Sequence, residues 1–189
     1  MQAYVFWHVP RAGVAARDYE VLHSGFHESL RQAPVEGFLG VRVFRLEMIP
    51  WLDPVASGYE DWHLLADSAA LDRLNAAAVS SHRQLPHDRI AALAGAGTAG
   101  LYGLRLGTLI TPTHAYWFGK PAGMSYADFE RSLQPAVDAG CCLWGRRMTL
   151  GPTPEFCLHA PCEHSLPYAA HAMRLSQVLS HGADTLQAR

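Results

Sequence analysis

The chain has 189 residues, 49% of them hydrophobic and 17% charged, with a formal net charge of −2. That is enough apolar material for one good core or two small domains, and too little clustered positive charge to capture a phosphate backbone, so nucleic acid is not expected as a partner. The opening "MQAYVFWHVP" lacks a charged stretch followed by an apolar one, and no run approaches the roughly 18 apolar residues of a membrane span, so the protein is expected in the cytoplasm with its four cysteines as thiols.

An aromatic, β-prone run from Ala3 to Trp7 comes first. "RAGVAARDYE", Arg11 to Glu20, reads as a turn leading into a helix whose stripe is Tyr19, Leu22, Phe26, Leu30 and Ala33, with Pro34 and Gly37 ending it. A hairpin follows, Phe38 to Pro50 and Tyr59 to Ala66. A second helix starts at Ser68, with Leu71, Leu74 and Ala78 on its stripe. "HDRIAALA" looks helical, "GAGTAG" from Gly95 to Gly100 reads as a flexible loop, and "LYGLRLG" from Leu101 is a closing strand.

The order then begins again. "AYWFG" from Ala115 is a second aromatic strand, and "PAGMSYADFE", Pro121 to Glu130, leads into a helix with Ser125 and Asp128 as a capping pair. Its stripe is Phe129, Leu133 and Val137. It is expected to be about two turns shorter than the first and to fray or bend at Pro135. A hairpin, Cys142 to Leu150 and Glu155 to His159, precedes a helix predicted from Ser165 with the stripe Tyr168, Ala172, Leu175 and Leu179.

At an offset of 110, Ala12, Gly13, Asp18 and Glu20 meet identical residues at Ala122, Gly123, Asp128 and Glu130, while Tyr19 meets Phe129. Each half therefore reads βαββα, with a last β clear only in the first, and we expect two units, residues 1–110 and a shorter 111–189. In such a unit both helices cover one face of a four-stranded antiparallel sheet, and the other face needs a partner. The fold class is α+β, two tandem ferredoxin-like repeats packed sheet to sheet. In element order and internal repeat the chain resembles the dimeric α/β-barrel superfamily. That resemblance implies cofactor-independent monooxygenase-like or isomerase-like chemistry, or haem handling. "HGADTLQAR" makes a poor last strand, which leaves the second sheet with three strands or with an edge borrowed from another chain, an arrangement that favours a homodimer.

The expected site is an apolar space between the two sheets, taking a small apolar or aromatic molecule without a bound cofactor or metal. His8, or His63 with Asp61 two residues away on one strand face, are the candidate proton-transfer groups. Arg42, Tyr102, Arg105, Tyr116 and Trp144 are candidate ligand contacts, an arginine being suited to a carboxylate or enolate. Alternatives are a non-catalytic carrier with one of the eleven histidines on a haem iron, and an assembly protein whose inter-sheet space is filled by its own aromatic side chains.

Three further patterns carry less. "GAGTAG" has the G-x-G-x-x-G spacing but lies between a helix and a strand, the reverse of the dinucleotide order. "CLHAPCEH" offers Cys157, His159, Cys162 and His164, but one short segment would have to wrap an ion alone. His23 and His27 share a helix face, yet without an identifiable third ligand they read as a helix-border pair.

Overall fold

Alternation decides the first strand. In β1 (Gln2–Pro10), Val5, Trp7 and Val9 point to one side and Tyr4, Phe6 and His8 to the other, and both sides are covered. We describe the protein from a computed structural model covering residues 1–53, 57–149 and 151–182. β1 is followed by α1 (Ala16–Gln32), β2 (Phe38–Leu46), β3 (Gly58–Leu65), α2 (Ala69–Ala78), a 3-10 turn (Ser81–Arg83), α3 (Gln84–Ala91) and β4 (Ala94–Leu106). Then come β5 (His114–Phe118), α4 (Tyr126–Asp138), β6 (Cys142–Thr149), β7 (Phe156–Ala160), β8 (His171–Arg174) and β9 (Ser176–His181). Among the described residues no helix is long and apolar enough to cross a membrane.

The glycine shared by the two copies has a backbone reason. Gly13 and Gly123, each in the turn before a helix, have φ of +84° and +78°, a left-handed conformation that a side chain disfavours. Beyond the turn, α4 is capped by the Ser125 hydroxyl, which accepts from the Asp128 backbone N–H at 3.1 Å, as the spacing predicted. α4 has 13 residues against 17 in α1, a difference of about one turn rather than two, and it continues three residues past Pro135.

The nine strands among the described residues form one antiparallel sheet in the order β8-β5-β7-β6-β4-β1-β3-β2-β9. Each half has the ferredoxin-like order, 4-1-3-2, with β8 as the fourth strand of the second half. β4 joins the halves by pairing with both β1 and β6. At the other end β8 pairs with β5 and β9 with β2, and only Leu175 separates β8 from β9. One stretch of chain thus joins both ends of the sheet into a nearly closed barrel, removing most of the exposed edge.

Two predicted segments differ from this outcome. The helix expected from Ser165 is instead the pair β8 and β9, where Met173 and Leu175, two residues apart, are both buried in the core shared with β5 and β1. Their spacing of two is a strand period, and pairing with β5 outweighed a stripe that fits a helix equally well. "GAGTAG" is not a loop but the first half of β4, paired with β1 from Val9 to Val5. A side chain at Gly97 would collide with the Phe6 ring, its Cβ 2.7 Å away, so glycine is what lets the strands and that ring coexist. Of "HGADTLQAR", His181 ends β9 and residues 183–189 lie outside the described residues, as does Leu150 of the second predicted hairpin.

The space between the sheets, expected to hold a ligand, is packed by the protein itself. Trp7, Trp62, Trp117 and Trp144 are fully buried there with Tyr102 and Phe44, and the indoles meet edge-on or tilted at centroid separations from 5.0 to 5.8 Å. Aromatic rings of this size contribute heavily to core stability through buried area and their edge-to-face contacts. Glu60 lies among them and accepts the Trp7 indole N–H at 2.7 Å. Burial pushes its carboxyl up to about 7.

Candidate functional site

The cavity lies on the opposite face of the first-half sheet, beneath its helices. Its volume is about 500 Å³. Tyr4 and Phe6 of β1, Phe26 and Leu30 of α1, Leu74 of α2 and Ile90 of α3 make its apolar walls, and His8, His23, Asp61 and His63 are polar groups within it.

Two sequence rules bring these groups together. In the β1–β3 register Phe6 is opposite Asp61, Tyr4 opposite His63 and His8 opposite Tyr59, so His8 is a diagonal neighbour of Asp61 on one face. On α1 the fully buried stripe is Tyr19, His23, His27 and Leu30, while Leu22 and Phe26 flank it half-buried. The pair expected at a helix border is therefore sealed, His23 being 3% and His27 1% exposed, because α1 turns its histidine face onto β3.

Asp61 is the hub. Its Oδ1 is 3.2 Å from His8 Nε2, and its Oδ2 is 2.7 Å from His23 Nε2 and 3.4 Å from His27 Nε2. His23 Nε2 and His27 Nε2 are 3.0 Å apart. The Tyr19 hydroxyl meets His8 Nδ1 at 2.6 Å, giving a Tyr19–His8–Asp61 chain. Tyr19 and Tyr59 stack beside it. The His63 ring is 5.4 Å from that of His27, centroid to centroid.

Burial would push the Asp61 carboxyl up, yet His23 and His8 hold it well below the usual carboxylate range. Burial also lowers His8 and His63 and takes His27 down to about 3, which favours the uncharged form of these three imidazoles. Burial likewise pushes the Tyr19 and Tyr59 hydroxyls up, the latter to about 12, which keeps both as proton donors at neutral pH.

Of the sequence candidates, His8, Asp61 and His63 all border this cavity. The five candidate ligand contacts do not. Arg42 is buried in the barrel and donates to the Ile110 carbonyl; Tyr102 donates to the Pro154 carbonyl at 2.7 Å; Trp144 packs on Trp62. Arg105 pairs with Glu130 outside, and the Tyr116 hydroxyl accepts from the His164 backbone N–H at 2.6 Å. The space between the sheets, where these contacts are expected, is filled by the tryptophans.

"CLHAPCEH" does not converge either, since Cys157 and His159 are buried in β7 while Cys162 is exposed. Cys157, opposite Trp117, takes the place that Glu60 holds opposite Trp7. Sequence reasoning missed His23, His27, Tyr19 and Tyr59 as site residues. A visible signal was the repeat itself, in which His23 and His27 meet Leu133 and Val137.

No protein-family model matches the sequence, and no curated protein compared with it matches significantly. Solved structures do match. A monooxygenase candidate from Fusobacterium nucleatum has a TM-score of 0.66 at 10% identity, covering 95% of this chain and 93% of that one. A monooxygenase candidate from Lactobacillus acidophilus has 0.57 at 8%, covering 95% of each. A protein described as anthrone oxidase-like has 0.56 at 9%, covering 95% of this chain and 92% of that one. At such identities the likeness is one of fold. The fold is an α+β barrel, nearly closed, built of two ferredoxin-like units on one chain.

Proposed function

We propose that the protein is a small-molecule enzyme, monooxygenase-like or isomerase-like, that binds an apolar or aromatic substrate in the helix-side cavity and moves a proton there. The observation that carries this is the cavity itself, within the roughly 300–1,000 Å³ usual for small-molecule sites, with an ionised, buried Asp61 reaching two imidazoles at its wall. A ring system lying between Phe6 and Phe26 would put an acidic C–H within reach of these groups. His8, held by Tyr19 and Asp61 on its two nitrogens, can relay a proton, and His63 is a second acceptor on the same face.

Anthrone is the first probe, because one structural neighbour is described as anthrone oxidase-like and its C–H is made acidic by the flanking rings and carbonyl. Oxygenation of such a carbanion places one oxygen atom on carbon and releases the other as water. Oxygen uptake with anthrone should be saturable, and His8→Ala should lower kcat by about 10²–10⁴. No binding of anthrone or similar tricyclic molecules, by fluorescence titration at substrate concentrations up to its solubility, would remove the proposal.

A further inference from the structure

His23 Nε2, His27 Nε2 and Asp61 Oδ2 form a triangle with sides of 2.7, 3.0 and 3.4 Å, and all three residues are buried. Hydrogen bonds alone satisfy this triangle poorly, because a neutral imidazole nitrogen is either donor or acceptor. With a proton on Nε2, His23 donates to Asp61 and has no lone pair left for His27. Without it, His23 can accept from His27 but then faces a carboxylate oxygen at 2.7 Å, lone pair to lone pair. One cation resolves all three contacts together. A triangle of this size lets a single ion stand about 2.0–2.1 Å from every corner, the usual distance for a first-row metal bound to imidazole or carboxylate.

We propose that His23, His27 and Asp61 bind a divalent first-row transition metal ion. Two histidines and one carboxylate on one face of the ion are the ligand set associated with ferrous iron, with the remaining positions open. His63 lies beside the triangle, in a group with His27 and Asp61 whose ligand atoms are all within 4.8 Å of one another. His8 contacts the other oxygen of Asp61 and orients the carboxylate. His23, Asp61 and His63 border the cavity, so the open positions face it. Resting on the function proposed above only for what occupies that open side, the site replaces the cofactor-free expectation with a built metal centre.

The test reads metal alone, without substrate. Tag-free protein is stripped with a chelator, then titrated anaerobically with ferrous iron, and separately with cobalt(II), by calorimetry and by the cobalt visible spectrum. One ion per chain is expected, with cobalt bands of an imidazole and carboxylate environment. Because His27 does not border the cavity, His27→Gln separates metal binding from proton transfer: it should weaken the metal more than about 100-fold, beyond the usual cost of losing an outer-shell partner. Asp61→Asn should do the same, and His114→Ala, on β5, should leave affinity unchanged. Circular dichroism establishes that each variant is folded. Dissociation constants weaker than about 100 μM for both ions, or tight binding that survives both substitutions, would overturn the metal site while leaving anthrone turnover to be judged separately.

Discussion

The two halves share a topology and differ at nearly every residue of the site. At the offset of 110, His8, Tyr19, His23 and His27 correspond to Phe118, Phe129, Leu133 and Val137. Through the matched registers of β1–β3 and β5–β7, Tyr59, Asp61 and His63 correspond to Phe156, Leu158 and Ala160. The second half packs these apolar residues, Val137 excepted, between α4 and the sheet as an ordinary core, whereas the first half surrounds a buried carboxylate with imidazoles and leaves a cavity. It also lacks counterparts of α2 and α3, since the chain after β7 runs into β8. The fold therefore does not need the polar cluster. One copy keeps the barrel with hydrocarbon, so the cost of burying charge in the other is tied to what that half does.

Converting one half toward the other should break the contrast in two stages. Asp61→Leu alone leaves His8 and His23 without their buried acceptor and should cost about 1–3 kcal/mol for each, read by urea unfolding. Adding His8→Phe and His23→Leu, the second-half residues, should recover that loss and can exceed it by about 1–4 kcal/mol, while metal and anthrone binding disappear. A triple variant no more stable than Asp61→Leu would show that the halves are not interchangeable cores. Aromatic truncation sharpens the same comparison. Phe129→Ala, in the sealed half, should cost about 3–5 kcal/mol. Phe26→Ala, on the cavity wall, should cost only about 1–2 kcal/mol and mainly weaken ligand binding.

The shared interior gives a smaller, pH-dependent effect. His159 sits against Trp62, is buried, and has no hydrogen-bond partner on either ring nitrogen. Burial, with Arg42 nearby, lowers it to about 3. The unfolded chain takes up a proton near 6.5 and the folded chain does not, so this residue makes stability fall as pH drops from about 6.5 toward 3. At pH 5 its share is about 2 kcal/mol. His159→Phe should flatten the acid limb of a stability profile by that amount; an unchanged limb would mean that the ring is protonated or hydrated in the folded state.

Much of this architecture was legible from spacing. The strand, turn and helix of each copy, the capping serine and the first four-stranded sheet follow from local residue types. Three things were hidden for physical reasons. β1 is apolar or aromatic on both faces, so alternation grouped Tyr4, Phe6 and His8 without saying which way they point, and the site was placed between the sheets. Met173 and Leu175 fit a strand period within a stretch that also fits a helical stripe, and only pairing with β5 decides between them. His23 and His27 lacked a third ligand because Asp61 is 38 residues further on and meets them only through the fold.

The smallest contrast lies at the helix starts. Ala15 and Ser125 occupy the same N-cap position with nearly the same backbone, φ and ψ of −69° and 137° against −70° and 155°. Only the serine offers an oxygen, to the Asp128 N–H, and Asp18 stands at the matching position in α1. Ser125→Ala should therefore cost about 1 kcal/mol and Ala15→Ser gain about 0.5–1 kcal/mol. In a chain of this size these are Tm shifts of roughly 2–4 °C per kcal/mol, in opposite directions. A gain in stability at Ala15 with no change in anthrone turnover would mean that the α1 start is simply uncapped. A gain accompanied by slower turnover would mean that the active half uses a loosely held first turn, whose Tyr19 reaches His8, to admit its substrate.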